Sequence, residues 1–330
     1  MALVLREDDV RAVLTMPDVV NILDAAFRRQ AAGDAANRPR SRIVIPEARG
    51  VLHVLSAYVP GQPGHPDREG PGLVGLKTYT ASSAGVRFLV LLSSAEDGRL
   101  LAIVEADWLG QMRTGAASGL ATRYMARADA RSVGLLGTGG QARTQVLAMC
   151  AVRPIERFLV YGRDADRRRA FCNEMTERTG VTMEPVASAE AAVRPADIVV
   201  TATTAREPVL SGAWLRPGAH VNAMGSNWHN RREVDDETVE RSAIVAVDAL
   251  DQARIEAGDL IIPAEAGLFS FDRAVELGSI VAGETLGRTA DAQITLFKSL
   301  GIGIEDVATA GRVYELARER GLGQHLDVVL

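Results

Sequence analysis

Two groups of residues in this chain have types and spacings suited to chemistry. The first is Gly137-Thr138-Gly139-Gly140-Gln141-Ala142, which follows the apolar run Val133-Gly134-Leu135-Leu136 and opens a stretch with Val146, Leu147, Met149 and Cys150 at helical spacing. Strand, sharp turn and helix start, in that order, make a phosphate-binding turn. Gly137 lets the chain reverse, Gly139 lets backbone approach a pyrophosphate, and Ala142 lets the helix lie close on the strand. The helix N-terminus adds N–H donors and positive dipole. A second strand, Arg157-Phe158-Leu159-Val160-Tyr161, follows about twenty residues later, as a dinucleotide site requires. The second group is cationic. Lys77 stands within Leu73-Val74-Gly75-Leu76-Lys77-Thr78-Tyr79, where an ammonium is costly unless paired or catalytic. Desolvation and neighbouring arginines would lower its pKa and suit it to proton exchange.

The end of the second strand bears on which dinucleotide. An aspartate there would hold the ribose diol of NAD. Here the strand ends Tyr161-Gly162-Arg163-Asp164, followed by Arg167, Arg168 and Arg169. Arginine after a small residue accommodates a 2′-phosphate, so NADP(H) is favoured; NAD(H) stays open if a shifted turn brings Asp164 into place. No metal is expected, because His53, His65, His220, His229 and His325 are scattered without ligand spacing. Cys150 and Cys172, the two cysteines, read as reduced thiols in helices of a cytoplasmic protein. The net charge of −5 argues against a nucleic-acid partner. No apolar run approaches the roughly 18 residues of a membrane span.

The elements that must position these residues fall into two patterns. Residues 18–30 have the apolar spacing of a helix, and extended runs follow at 42–45, 51–58, 72–79, 86–93 and 100–105, with turn-rich segments at 60–71 and 96–98. This predicts a strand-rich domain with a helix against its sheet. Residues 107–126 read as a long helix whose first half is rich in small residues, so that another helix or a ligand presses on its backbone. From 130 the chain alternates strand and helix, with strands at 132–136, 157–161, 197–202, 219–223 and 243–247, the pattern of a doubly wound parallel sheet. Residues 306–320 form a last amphipathic helix that returns to the first domain. The fold class is therefore α/β: a Rossmann domain at 129–303, with a strand-rich α+β domain at 1–128 and 304–330. At 330 residues, 47% hydrophobic and 24% charged, the chain can bury two cores.

Five stretches, in order, resemble the ornithine cyclodeaminase/mu-crystallin family: Gly75-Leu76-Lys77, Gln111-Met112-Arg113-Thr114-Gly115-Ala116, the 137–142 turn, Asn222-Ala223-Met224-Gly225-Ser226-Asn227, and Ile294-Thr295-Leu296-Phe297-Lys298-Ser299-Leu300-Gly301. The resemblance implies hydride exchange between a nicotinamide and the α-carbon of an amino or imino acid, in a homodimer. It implies that Arg42, Lys77 and Arg113 hold the substrate carboxylate, with Arg40 as the alternative to Arg42 should the strand register differ. Arg87 would add a cation for a dicarboxylate, or be a surface arginine. Thr114 would reach the cofactor phosphates or the carboxylate. Further cofactor contacts are expected at Thr201, Ala202, Thr203, Met224, Gly225, Lys298, Ser299 and Gly301, the last three being otherwise an ordinary helix terminus.

Two departures from the cyclodeaminase pattern matter. Asn227 stands where cyclodeaminases carry a carboxylate, and it can orient an amine but cannot take its proton at neutral pH. His53 replaces a glutamate suited to the far amino group of ornithine; it is either a proton donor in the pocket or a hydrogen-bonded core histidine. A diamine is thus poorly served. The favoured reading is reduction of an imino acid to an L-amino acid with NAD(P)H. The alternatives are an NAD-linked cyclodeaminase or alanine-type dehydrogenase, and a ligand-binding protein without turnover.

Overall fold

The computed structural model describes residues 2–47, 49–61, 72–82 and 85–326. Most of the segment expected to be turn-rich at 60–71 lies outside the described residues. The chain divides into two compact units, Met1–Arg113 with Gly301–Leu330, and Thr114–Leu300. The division falls inside the Asp107–Met125 helix, whereas the sequence reading places it after residue 128. Beyond Arg113 the helix backbone is packed on the second unit: a Cβ added at Gly115 would stand 2.6 Å from the Thr144 carbonyl oxygen. The small residues there accommodate a helix.

In the first unit the described residues form an eight-stranded sheet. Its order is Gln324–Leu326, Ala2–Leu5, Leu100–Glu105, Gly85–Ser94, Leu73–Ser82, Gly50–Val59 and Ala36–Asn37, with Ser41–Ile45 also paired to Gly50–Val59. Ala2–Leu5, too short for its period to be read, runs parallel to Leu100–Glu105, and the other pairs are antiparallel. The Gly303–Arg320 helix packs on the Leu73–Ser82 and Gly50–Val59 strands and on the Met16–Ala31 helix. The latter begins two residues before the expected start, because the Thr15 hydroxyl caps it by accepting from the Asp18 N–H. Register sets what each face of the sheet carries. Leu55, Lys77 and Val90 lie opposite one another and are buried. Residues one step out of phase, such as Val74 and Leu89, are exposed.

The second unit is a parallel sheet in the order Thr182–Pro185, Arg157–Tyr161, Ser132–Leu136, Ile198–Thr201, His220–Ala223, Ile294–Lys298, Ser242–Val247 and Ala274–Glu276. The chain moves outward to one side from Ser132–Leu136 and then crosses to its other side at Ile198–Thr201. That reversal is the switch point at which such sheets bind ligands beyond their carboxyl ends. The five expected strands are present within one residue of their expected bounds. Ile294–Lys298 was not expected as a strand. It is buried along its whole length, so it lacks the alternation that distinguishes a strand from a buried helix segment.

Candidate active site

Strand pairing builds the first unit's site. Arg42 lies opposite His53, His53 opposite Tyr79, and Tyr79 opposite Phe88. Lys77 and Arg40 are each two residues from a member of that row, so all six share one face. The His53 and Tyr79 rings stack at 4.3 Å and 7°. The buried Arg40 donates to the Tyr79 hydroxyl at 2.7 Å and to the Gly301 carbonyl at 3.0 Å, while Arg42 is half-buried. Lys77 is 3% exposed, and its ammonium lies 3.1 Å from the Asp306 carboxylate. It also sits 5.8 Å from the Tyr79 ring and 5.2 Å from that of Phe88. The space it occupies depends on Gly110, where a Cβ would come within 3.0 Å of Nζ.

Arg113 joins the same cluster. Its Nε donates to Asp306 at 2.9 Å and one terminal nitrogen to Glu305 at 2.9 Å. Gly301, expected to touch cofactor, lies against this guanidinium: it adopts φ +74°, and a Cβ there would collide with the arginine. Glu305 and Asp306 are buried in the first turn of the Gly303–Arg320 helix, where the helix dipole favours carboxylates. Burial, with the Arg113 charge second, lowers the Lys77 pKa from its ordinary 10.5 to about 8, against the opposing pull of Asp306. His53 falls from 6.5 to about 4, through burial first and then Arg40 and Arg42. At neutral pH the site therefore holds a protonated lysine of reduced pKa and a neutral imidazole.

Arg87 does not join this cluster. It pairs with Thr80, one residue out of phase with Lys77 and Tyr79, and is exposed on the opposite face of the sheet. It supplies no second cation beside Lys77.

The second unit carries the phosphate-binding turn. Gly137 has φ +117°, which glycine alone adopts readily, and a Cβ there would stand 2.3 Å from the Ala202 carbonyl oxygen. Gly139 has open space where its Cβ would be, and as N-cap of the Gly140–Val152 helix it offers the first-turn N–H groups no side-chain acceptor. Thr138 and Gln141 lie half-buried on this turn, Gly140 is exposed, and Ala142 is fully buried. The cradle fits a pyrophosphate. Arg163 is exposed just past the Arg157–Tyr161 strand, while the Asp164 carboxylate caps the next helix by accepting from the Asp166 and Arg167 N–H groups at 3.0 Å.

The remaining expected residues fall into two kinds. Ala202, Thr203, Met224 and Gly225 are half-buried on the loops that follow the Ile198–Thr201 and His220–Ala223 strands, and half-buried Asn227 lies further along the second loop. Thr201, Lys298 and Ser299 are buried in the core of the unit, and the Thr201 and Lys298 side chains bond to acids rather than facing outward. Thr114 is buried, with its carbonyl accepting from the Gln145 side chain at 3.4 Å. Four buried carboxylates bonded to expected site residues went unread in the sequence: Glu305 and Asp306 in the first unit, Glu233 and Asp259 in the second. The available signal was the demand of Lys77 and Arg113 for counter-charges, with Glu305 and Asp306 set between Ile304 and Val307. Among the described residues no group of histidine, cysteine and acidic side chains could hold a metal.

A sequence profile described as the ornithine cyclodeaminase/mu-crystallin family matches residues 1–321. A Delta(1)-pyrroline-2-carboxylate reductase of Bacillus cereus is 38% identical over 267 residues, covering 78% of this chain and 82% of that protein. Among solved structures, Thermococcus litoralis Delta(1)-pyrroline-2-carboxylate reductase in complex with NADH and L-proline is 36% identical, with a TM-score of 0.91 over 98% of this chain and 100% of that one. The iminosuccinate reductase of Paracoccus denitrificans in complex with NAD+ is 26% identical, with a TM-score of 0.90 over 99% of each chain.

Proposed function

Because the chain belongs to the ornithine cyclodeaminase/mu-crystallin family, we propose that it is an NAD(P)H-dependent imino-acid reductase whose substrate is a cyclic α-imino monocarboxylate of the pyrroline-2-carboxylate type. The observation that carries this is Lys77: a buried ammonium with its pKa lowered to about 8, set among arginines and held by Asp306. A site that only binds a carboxylate has no need of a desolvated proton donor. The relatives named as reductases of pyrroline-2-carboxylate support the same class.

The dinucleotide, when bound, supplies a hydride. This chain's residues do the rest. Arg42 and Arg113 hold the substrate carboxylate, Arg113 being fixed by Glu305 and Asp306. Arg40, tied to Tyr79 and Gly301, shapes the wall around them. The Lys77 ammonium gives a proton to the imine nitrogen as the α-carbon gains the hydride; C=N becomes HC–NH, and Lys77 recovers its proton from solvent. His53, neutral with its ring stacked, forms part of the wall. Asn227 orients the nitrogen without removing its proton. Gly137–Ala142 cradle the pyrophosphate, and the loops bearing Ala202, Thr203, Met224 and Gly225 take the nicotinamide side. Thr114, Thr201, Lys298 and Ser299 act through the shape of the elements that carry them.

Three finer points belong to the same proposal. The substrate carries one carboxylate, because Arg87 lies on the other face of the sheet. NADP(H) is preferred, because Arg163 is exposed at the strand end while the Asp164 carboxylate is committed to capping a helix. The protein is a homodimer, as the family resemblance implies, through the sheet face on which Ile43, Val74 and Leu89 are 62%, 41% and 39% exposed. The test is oxidation of NADPH and NADH against pyrroline-2-carboxylate, piperideine-2-carboxylate, iminosuccinate and pyruvate with ammonia. Turnover of a cyclic imine is expected, and faster turnover of iminosuccinate would overturn the single-carboxylate reading.

A further inference from the structure

Beyond the Ile198–Thr201 and His220–Ala223 strands, the two loops expected on the nicotinamide side are joined by one side chain. Glu233 is fully buried. One of its oxygens accepts from the Thr203 N–H and the Thr203 hydroxyl, both at 2.7 Å. The other accepts from the Thr201 hydroxyl at 2.7 Å and from the Gly225 N–H at 2.6 Å. Room for this contact exists only because residue 225 is glycine: a Cβ there would stand 2.4 Å from a Glu233 oxygen and 2.3 Å from the Thr203 carbonyl oxygen. Glu233 is fixed in turn by Asp259, which accepts the Glu233 and Val234 N–H groups at 2.6 and 3.1 Å. Asp259 is paired at 2.9 Å with the buried ammonium of Lys298, which also donates to the Ser226 carbonyl at 2.5 Å.

We propose that Glu233 is a positioning residue that locks the loops following these two strands into the shape that receives the nicotinamide half of the dinucleotide, with Asp259 and Lys298 holding it in place. This rests on the reading of the second unit as the NAD(P)H-binding unit. Two features argue for more than packing. First, a backbone N–H points at each carboxylate oxygen, from two different loops, so only a side chain with two acceptor oxygens satisfies both. Second, the loops so joined are neighbours at the carboxyl ends of adjacent strands, beside the switch point where Gly137 and Ala202 meet. The adenosine half would lie on the other side of that point, toward Arg163, whereas the Glu233 carboxylate is bonded to Thr201, Thr203 and Gly225.

The position of the clamp predicts a split between the halves of the ligand. Glu233→Gln keeps size and shape but turns an amide nitrogen toward one of the two backbone N–H groups, whichever way it is flipped. By calorimetry the variant should bind NADPH about tenfold more weakly, the scale of losing hydrogen bonds to a buried charged group. It should bind 2′-phospho-ADP-ribose, which lacks nicotinamide, within about twofold of wild type. Equal weakening of both ligands would mean a merely structural role and overturn the proposal, as would unchanged NADPH affinity. If neither ligand bound to the wild-type protein, the dinucleotide reading itself would fall instead. Should Glu233→Gln fail to fold, Thr201→Val removes one buried donor to the same carboxylate without changing volume; it should show the same split at smaller amplitude, and its absence would count against the clamp.

Discussion

Replacing Asp306 with asparagine keeps the shape of the side chain and removes its charge, and the consequence falls on Lys77. Five influences set the Lys77 proton: burial, Arg113 and Arg40 push its pKa down, and the Asp306 charge and hydrogen bond push it up. Asparagine removes the charge and leaves only a neutral acceptor, while the three downward influences stay. At 3.1 Å the Coulomb attraction is about 5 kcal/mol at an effective dielectric of 20, an upper bound because Asp306 also serves Arg113. A net loss of about 1.5–3 kcal/mol, typical of a hydrogen bond to a charged group, corresponds to about one to two pH units. The reductase needs Lys77 protonated, so wild-type activity is present below about pH 8 and falls as pH rises through it. In Asp306→Asn the alkaline limb of kcat/KM for pyrroline-2-carboxylate should move about one to two units toward acid. Ionisation of the free imine is common to both enzymes and cancels in the comparison. Coincident alkaline limbs, or a limb moved to higher pH, would refute the assignment of Lys77 as the proton donor.

Other outcomes follow from the same geometry. Lys77→Met should lower kcat by about a hundredfold or more, the usual contribution of a positioned acid, while NADPH affinity measured by titration stays near wild type. Arg163→Ser should weaken NADPH about tenfold relative to NADH, the scale of one charge-assisted contact at an exposed site; an unchanged ratio of the two affinities would remove Arg163 from cofactor choice. His53, with a pKa lowered to about 4, is neutral in the folded protein and must charge in acid. Its contribution to stability is complete above pH 6.5 and is lost as pH falls toward 4, to about 3 kcal/mol. Denaturant titrations of His53→Gln should lose correspondingly less stability over that interval. Leu89→Glu places a carboxylate among the exposed apolar side chains of that sheet face and should yield monomers in sedimentation experiments if the face is the dimer contact.

Some of this site was legible in the sequence because single residues broke their local pattern. A lysine inside Leu73–Tyr79 is costly wherever the strand lies, and Gly137 is required by a positive φ and a close approach to Ala202 that other residues do not readily meet. Arg87 was ambiguous for a different reason. Its face depends on pairing with Thr80, and a one-residue slip in register would have turned it toward Lys77. Glu305 and Asp306 were hidden because acids at a helix start ordinarily serve the helix dipole; only tertiary packing reveals that they also neutralise Lys77 and Arg113. Glu233 and Asp259 were hidden more deeply. The polar stretch from Asn227 to Arg232 reads as a solvated loop, and the burial of the glutamate that follows it arises from contacts with Thr201, Thr203 and Gly225. Ile294–Lys298 escaped as a strand because burial on both faces erases its period.

The most direct test of the central claim is steady-state NADPH oxidation with pyrroline-2-carboxylate, set beside ammonia and proline release from L-ornithine with NAD present, a conversion that leaves no net NADH, in the same preparation. A reductase with Lys77 as proton donor and Asn227 in place of a carboxylate should consume the imine, form proline, and leave ornithine untouched. Ornithine conversion to proline and ammonia, with no turnover of the imine, would contradict the account.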